Sequence, residues 1–228
     1  MKTAAPITVV LAEDHMVVRE GLRTLLEREG DIQVVGQAAT GREAVTLVQQ
    51  LRPTVVIMDI AMPMLNGLEA TRQIRQAVPA TRVLILSAHG DDAYVERVTE
   101  LGAAGYLIKQ TSAHLLAEAI RKVAGGGTFF SPTIAKGLQQ RHTKTLDRQG
   151  RAQDRDTTLS PREAEVLQLI AEGKANKQTA AELGISTKTV EKHRDRLMRK
   201  LDIHDTASLT RYAIAHGLIE ADVQVTIT

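Results

Sequence analysis

The chain has 228 residues, of which 43% are hydrophobic and 25% charged, a balance typical of a soluble globular protein. It contains no cysteine, which excludes disulfides and thiolate metal sites and favours a cytoplasmic location. The net charge is only +2, and no apolar stretch approaches the roughly 20 residues that a membrane span needs, so we expect no membrane partner.

The first 124 residues alternate between short β-branched apolar runs and amphipathic stretches with the period of a helix. The predicted strands lie at 7–11, 34–38, 55–58, 83–86 and 106–108. The predicted helices lie at 17–28, 42–51, 68–77, 93–101 and 112–124. Five repeats of strand and helix predict a doubly wound α/β domain at residues 1–124, with a five-stranded parallel sheet covered on both faces. In such a domain the functional site lies beyond the carboxyl ends of the strands.

Polar side chains follow four of these five strands. Glu13 and Asp14 follow the first strand, Asp59 the third, Ser87 the fourth and Lys109 the fifth. Three carboxylates in one crevice repel each other and need a cation or raised pKa values, and oxygen ligands of this kind suit Mg²⁺. Together with a hydroxyl and an ammonium, they could hold a phosphoryl group on a carboxylate nucleophile.

Each of these residues has an ordinary structural explanation as well, as a helix cap or a solvated side chain, and only the combination is specific. Phosphatases of the haloacid dehalogenase type also use an aspartate nucleophile that follows a strand. They carry a second aspartate two residues later as general acid, where this chain has Ala61. The missing proton donor argues against a phosphatase of this type, and we expect that the protein is not an enzyme.

The chain changes character after residue 124. Three consecutive glycines at 125–127 interrupt the last helix, and Ser131 followed by Pro132 predicts the start of a short helix that ends near Gln140. Residues 142–157 are polar and nearly free of large apolar side chains. We therefore predict a linker at 125–157 that contains one short helix.

Residues 158–228 predict an all-α domain of four helices. The first begins with Ser160, Pro161 and Glu163, which have the spacing of a capping box. The remaining caps and terminating glycines are Gly173, Gly184, Ser186, Asp205 and Gly217.

The third of these helices is basic, since residues 174–200 hold eight basic and three acidic side chains. Val190, Leu197 and Leu201 form its apolar stripe, whereas Lys188 and Lys192 lie on another side. A basic second helix after a tight turn fits a recognition helix in the major groove. The charge pattern alone leaves open a solvated helix face in a small bundle.

The sequences "LAEDH", "VVIMDIAMPMLNGLEA", "LILSAH" and "AAGYLIK" resemble, in order and spacing, the receiver domain of two-component systems. The resemblance implies that Asp59 is the phospho-acceptor and that Glu13, Asp14, Asp59 and the carbonyl of Ala61 bind Mg²⁺. It also implies that Ala61 and His89 flank the path of the water that hydrolyses the phosphorylated form.

The same resemblance implies that Ser87 and Lys109 contact the phosphoryl oxygens. It identifies Tyr106 with the aromatic residue that changes rotamer on activation, although a tyrosine packed at the edge of the core is the alternative. One departure is Gln110, where many receivers have a proline, and this leaves the form of the Lys109–Gln110 peptide open.

Residues 158–219, from "LSPREAEVLQLIAEG" to the fourth helix, resemble a LuxR-type helix-turn-helix domain, and the whole chain resembles the NarL/FixJ class of response regulators. The implied partners are double-stranded DNA, a sensor histidine kinase, and a second copy of the chain when it is phosphorylated or DNA-bound. The fourth helix commonly forms the dimer contact in that family, and packing within its own domain is the alternative. The implied DNA-binding residues are Lys177, Ser186, Thr187, Lys188, Thr189, Glu191, Lys192, Arg194, Asp195, Arg196 and Arg199.

In that family, Glu191, Lys192 and Asp195 would face base edges, and most of the other basic residues would contact phosphates. The expected mechanism is a population shift in which phosphorylation of Asp59 frees or pairs the DNA-binding domain. The alternatives are a DNA-binding regulator whose receiver works without phosphate, and a receiver that serves only protein interaction or stores phosphate. The complete acidic site argues against the first, and the intact second domain argues against the second.

Overall fold

The computed structural model describes residues 5–88, 92–110, 113–131 and 159–219. The chain forms two compact units, Met1–Ala152 and Gln153–Thr228. Within the described parts of the chain, no helix combines the length and the apolar character that crossing a membrane requires.

The first unit contains a parallel sheet with strand order β2-β1-β3-β4-β5-β6. The strands are β1 (Ile7–Ala12), β2 (Ile32–Ala38), β3 (Val55–Met58), β4 (Arg82–Ser87), β5 (Gly105–Ile108) and β6 (Phe129–Phe130). The helices are α1 (Met16–Glu27), α2 (Gly41–Leu51), α3 (Gly67–Ala77), α4 (Asp92–Glu100) and α5 (Ala113–Ala124). The strand order changes direction between β1 and β3, and ligands of doubly wound folds bind at such a switch point.

Both faces of this sheet are buried, because successive side chains of a strand point to opposite faces and both sets are apolar. Val10, Met58 and Tyr106 belong to a core layer that includes buried side chains of α2, α3 and α4. Leu11 and Ile57 belong to the opposite layer, with buried side chains of α1 and α5. The predicted doubly wound architecture is therefore confirmed.

The predicted number of five strands was wrong, because β6 extends the sheet beyond β5. Phe129 pairs with Gly105, and the N–H of Ser131 donates to the carbonyl of Tyr106 at 3.1 Å. Gly105 permits this approach, since a Cβ added there would lie 2.3 Å from the carbonyl oxygen of Phe129. A two-residue strand has no alternation pattern of its own, which explains why the sequence pattern missed it.

Strand β6 lies inside the segment 125–157 that was predicted as a linker. The helix predicted from Pro132 to Gln140 and the polar stretch after it fall outside the described residues.

The described residues of the second unit form four helices, as predicted. They are α6 (Pro161–Ala171), α7 (Asn176–Leu183), α8 (Thr187–Leu201) and α9 (Thr206–Ala215). Ser160 and Glu163 form the predicted capping box, and Gly184 ends α7 in the left-handed conformation with φ 62°. The core of the unit includes the buried side chains of Val166, Leu169, Leu183, Val190, Leu197 and Leu209.

Candidate phosphoryl site and nucleic-acid interface

The carboxyl ends of β1, β3 and β5 bring Glu13, Asp59 and Lys109 into contact. The ammonium Nζ of Lys109 lies 2.8 Å from Glu13 Oε2 and 2.9 Å from Asp59 Oδ2. Both carboxylates are buried, with exposed fractions of 2% and 3%. One ammonium therefore bridges two buried carboxylates, as the convergence of strand ends predicts.

The electrostatics of Asp59 reflect its burial. Burial raises the pKa of Asp59 from 3.8 to about 6, although the nearby ammonium of Lys109 opposes this rise. The N–H of Ile60 also donates to Asp59 Oδ1 at 2.8 Å, which favours the charged form. Burial would lower the pKa of Lys109, but its bonds to Glu13 and Asp59 outweigh this and raise the pKa above the ordinary value. The lysine is therefore charged at neutral pH.

A second cluster, on the loop after β1, is suited to hold a cation. The ligand atoms of Glu13, Asp14 and His15 all lie within 4.8 Å of one another. His15 Nδ1 lies 2.8 Å from Asp14 Oδ1 and 3.2 Å from Glu13 Oε1, and the charge of Asp14 raises the pKa of His15. Asp14 Oδ1 is buried and accepts no hydrogen bond of normal geometry. A buried carboxylate oxygen that accepts no such hydrogen bond is a suitable ligand for a hard divalent cation such as Mg²⁺.

Sequence reasoning did not single out Arg19, which holds the same loop from α1. Its Nη1 donates to the carbonyl of Glu13 and, at 3.3 Å, to the carbonyl of Asp14. The only available signal was an arginine one turn into the helix that follows the acidic pair, and arginines on amphipathic helices are commonly solvated.

The amino end of helix α3 packs against the backbone of Asp59 and Ile60. The N–H of Gly67 donates to the carbonyl of Ile60 at 2.9 Å, and Asn66 caps the helix by accepting from the N–H of Glu69. A Cβ added to Gly67 would lie 1.9 Å from the carbonyl oxygen of Asp59. The Asn-Gly pair thus lets α3 begin directly against the loop that carries the candidate phospho-acceptor.

The other predicted site residues of this unit lie on or beside neighbouring strands. Ser87 ends β4 and is buried, and its carbonyl accepts from the N–H of Lys109 at 2.7 Å. Tyr106 is fully buried and pairs with Ile85 on β4. The Lys109–Gln110 peptide bond is trans, and Ala61, two residues beyond Asp59, is half-buried.

In the second unit, α8 separates an apolar stripe from an exposed polar face. Val190 and Leu197 are fully buried, and Ser186 caps the helix by accepting from the N–H of Thr189 at 3.1 Å. The exposed predicted DNA-binding residues are Lys177, Ser186, Thr187, Lys188, Glu191, Lys192, Asp195, Arg196 and Arg199. Helix α8 therefore exposes a basic face, and its amino end is capped by Ser186.

Arg194 differs from these residues because its guanidinium is engaged within the unit. Its Nη2 donates to Thr206 Oγ1 at 2.7 Å and its Nη1 to Asn176 Oδ1 at 3.5 Å. These partners lie at the first positions of α9 and α7, so Arg194 links three helices. This contact was not foreseen from the sequence, where Arg194 resembles the other basic residues of the helix.

Two family profiles match the chain. Residues 9–121 match the family described as response regulator receiver domain, and residues 157–213 match bacterial regulatory proteins of the luxR family. Each match falls within one of the two compact units.

Curated proteins match over almost the full chain. The transcriptional regulatory protein MctR of Rhizobium johnstonii is 38% identical over 213 residues, which cover 93% of this chain and 95% of that protein. The response regulator protein VraR of Staphylococcus aureus is 36% identical over 94% of this chain and 99% of its own.

Solved structures agree with these matches. A two-component response regulator of the LuxR family from Aurantimonas sp. SI85-9A1 has 37% identity and a TM-score of 0.58, and covers 61% of this chain and 99% of its own. The response regulator RcsB in a complex with DNA has 26% identity and a TM-score of 0.56, and covers 92% of this chain and 98% of its own.

Proposed function

Because the chain belongs to the LuxR-family response regulators, which join a receiver domain to a LuxR-type DNA-binding domain, we propose that it is a transcription regulator controlled by phosphorylation at Asp59. A sensor histidine kinase would supply the phosphoryl group. The observation that carries this proposal is the bridge from Lys109 to two buried carboxylates at the switch point of the sheet.

In the proposed reaction, a carboxylate oxygen of Asp59 attacks the phosphorus of the kinase's phosphohistidine. The bond from phosphorus to the histidine nitrogen breaks as the new oxygen–phosphorus bond forms, and Asp59 becomes an acyl phosphate. Lys109 is held beside the nucleophile and can donate to a phosphoryl oxygen without moving far. The hydroxyl of Ser87 is the second proposed contact of the phosphoryl group.

Glu13, Asp14, Asp59 and the carbonyl of Ala61 are the residues that would hold Mg²⁺. When bound, Mg²⁺ would neutralise charge on the carboxylates and on the phosphoryl oxygens. The buried Oδ1 of Asp14 supports this assignment, because it accepts no hydrogen bond of normal geometry, although the ring of His15 lies 2.8 Å away.

Transcriptional control requires a protein surface that binds DNA. We propose that α8 provides it by entering the major groove. Lys192, Glu191 and Asp195 would reach base edges, and Lys177, Lys188, Arg196 and Arg199 would contact phosphates. The half-buried Thr189, which bonds to Ser186, would contribute with its neighbours at the amino end of α8. A protein that acts on bacterial DNA would work in the cytoplasm.

We further propose that the receiver extends from residue 1 to 131, because β6 belongs to its sheet, and that the DNA-binding domain spans 158–228. Phosphorylation would shift the population towards a form in which two copies bind a two-fold DNA site, with Tyr106 and Ser87 as the responding residues. Tyr106 also contacts the end of the sheet's edge strand, since it pairs with Phe130 and its carbonyl accepts the N–H of Ser131.

The first test is phosphorylation by acetyl phosphate in the presence of Mg²⁺, followed by intact-mass measurement. We expect one added phosphoryl group on the wild-type protein and none on Asp59→Asn, while the exposed Asp31→Asn serves as the control and is labelled normally. The second test selects bound DNA from a random pool with the phosphorylated and unphosphorylated protein. Undiminished labelling of Asp59→Asn, or DNA binding that phosphorylation leaves unchanged, would overturn the proposal.

A further inference from the structure

Arg19 connects α1 to the loop that carries the proposed metal ligands. Its Nη1 donates to the carbonyl oxygens of Glu13 and Asp14, while its own N–H donates to the carbonyl of His15 at 3.0 Å. The side chain is half-buried. The side chain of Arg19 therefore contacts two consecutive carbonyl groups of this loop, and its backbone makes the ordinary bond of a helix's first turn to the third.

The loop has other restraints as well, since the N–H of His15 donates to Glu13 Oε1 at 3.3 Å and Lys109 holds the carboxylate of Glu13. The N–H of Glu13 donates to the carbonyl of Ala38 at 3.0 Å, which ties the loop to β2. At the other end, α1 begins after His15 without a hydrogen bond from a capping side chain. The guanidinium of Arg19 joins the carbonyls of Glu13 and Asp14 to α1 from within the helix.

The shape of the guanidinium suits this task. It is planar, remains charged at any relevant pH, and presents several N–H groups in a rigid fork, whereas a lysine ammonium is a compact point charge. One turn further along α1, Arg23 pairs with exposed glutamates, Glu20 at 2.9 Å and Glu27 at 3.9 Å. The two arginines lie on the same helix and carry the same charge, but Arg19 binds backbone carbonyls whereas Arg23 binds glutamate side chains.

We propose that Arg19 is a positioning residue for the Mg²⁺ site, which acts by fixing the peptide groups of Glu13 and Asp14 so that their carboxylates converge. This inference rests on the proposed function, since it assumes that the acidic cluster binds Mg²⁺. The inference predicts whether the affinity for Mg²⁺ rises or falls when Arg19 is replaced. Simple electrostatics requires that loss of a nearby positive charge strengthen the binding of a cation, whereas loss of a positioning contact weakens it.

The test compares the full-length Arg19→Gln, Arg19→Lys and Arg23→Gln variants with the wild type. Calorimetric titration with Mg²⁺ should give a dissociation constant about 10-fold higher for Arg19→Gln, the size typical of lost outer-shell support, and a smaller increase for Arg19→Lys. Arg23→Gln should match the wild type. Phosphorylation of Arg19→Gln by acetyl phosphate should require more Mg²⁺ and should return to the wild-type rate at saturation.

Two further readouts separate the outcomes. Amide hydrogen exchange in a peptide that covers residues 12–18 should be faster in Arg19→Gln without Mg²⁺, and urea unfolding in EDTA shows whether the variant is folded. Mg²⁺ binding by Arg19→Gln that is equal to or tighter than that of the wild type would overturn the inference. A wild-type protein that binds no Mg²⁺ would instead overturn the proposed function, together with this inference.

Discussion

Lys109 and Asp59 form a contact of 2.9 Å between an ammonium and a carboxylate that is 3% exposed. The same ammonium also contacts Glu13, so one positive charge is shared by two buried negative charges. The unphosphorylated site therefore carries more negative than positive charge. This imbalance has consequences for stability as well as for chemistry.

The first prediction concerns the pH dependence of stability. The pKa of Asp59 is raised to about 6 in the folded protein from 3.8, so the folded state holds this proton more tightly than the unfolded chain. Stability is therefore lost as the pH rises from 3.8 to about 6, and the loss persists above that range. In EDTA at pH 7, Asp59→Asn should raise the free energy of unfolding by about 1–3 kcal/mol in urea titrations.

Asp31 provides a control of opposite sign, because its hydrogen bonds from Arg121 lower its pKa. Asp31→Asn should reduce stability at pH 7, and the reduction should disappear as the pH falls below 3.8 through the lowered pKa. If the effect of Asp59→Asn has the same size at pH 4 and at pH 7, the ionisation of Asp59 is not its cause.

The second prediction uses the close approach of α3 to the Asp59 loop. Gly67→Ala would place a methyl group 1.9 Å from the carbonyl oxygen of Asp59, so the backbone must shift. We expect a loss of about 1–3 kcal/mol in the free energy of unfolding and slower phosphorylation by acetyl phosphate. Gly21→Ala is the matched control, because nothing lies within 4 Å of its added Cβ in α1. It should stabilise the protein by about 0.5–1 kcal/mol, and equal effects of the two substitutions would contradict the prediction.

The third prediction concerns the lifetime of the phosphorylated form. Ala61 offers only a methyl group beside the expected path of the attacking water, and His89 lies outside the described residues. Ala61→Asn should speed the loss of phosphate, because an amide can orient the water. An increase of roughly five-fold corresponds to about 1 kcal/mol off the barrier. The decay of purified phosphoprotein in Mg²⁺ measures this rate, with the exposed Ala77→Asn as control, and unchanged or slower decay in Ala61→Asn would refute the idea.

The fourth prediction separates two basic residues of α8. Lys192→Ala should weaken DNA binding by about 1–3 kcal/mol with little effect on unfolding, because Lys192 is exposed. Arg194→Ala should lower the free energy of unfolding of the second unit by about 1–2 kcal/mol, because its bonds to Thr206 and Asn176 are lost. Anisotropy titrations at fixed salt and urea unfolding measure the two effects, and Arg28→Ala in the first unit is the control. Equal stability of both α8 variants would show that the Arg194 contacts contribute little.

Much of the site was predictable because parallel strands end at one edge of a sheet. The positions of Glu13, Asp59 and Lys109 directly after apolar runs were enough to predict that they meet, and the structure brings them together. The capping box at Ser160 and the turn at Gly184 were predictable for a similar reason, since their signals lie within a few residues of each other.

The contacts of Arg19 and Arg194 were not predictable in the same way. Both are basic residues on amphipathic helices, where the pattern predicts a solvated side chain. Their partners are backbone carbonyls in one case and side chains of two other helices in the other. Such contacts depend on where the chain points in space rather than on the periodicity of residue types.

Strand β6 also determines where a recombinant fragment of the first unit can end. Phe129 is 9% exposed, lies under the ammonium of Lys122 at 5.6 Å, and donates its N–H to the carbonyl of Ala104 at 3.0 Å. A recombinant fragment that stopped at Ala124 would lose this strand and leave the backbone groups of β5 open along their whole outer edge. Open edges pair readily with other chains. Such a fragment would therefore be prone to associate through this edge, and a fragment meant for solution studies should continue at least to Ser131.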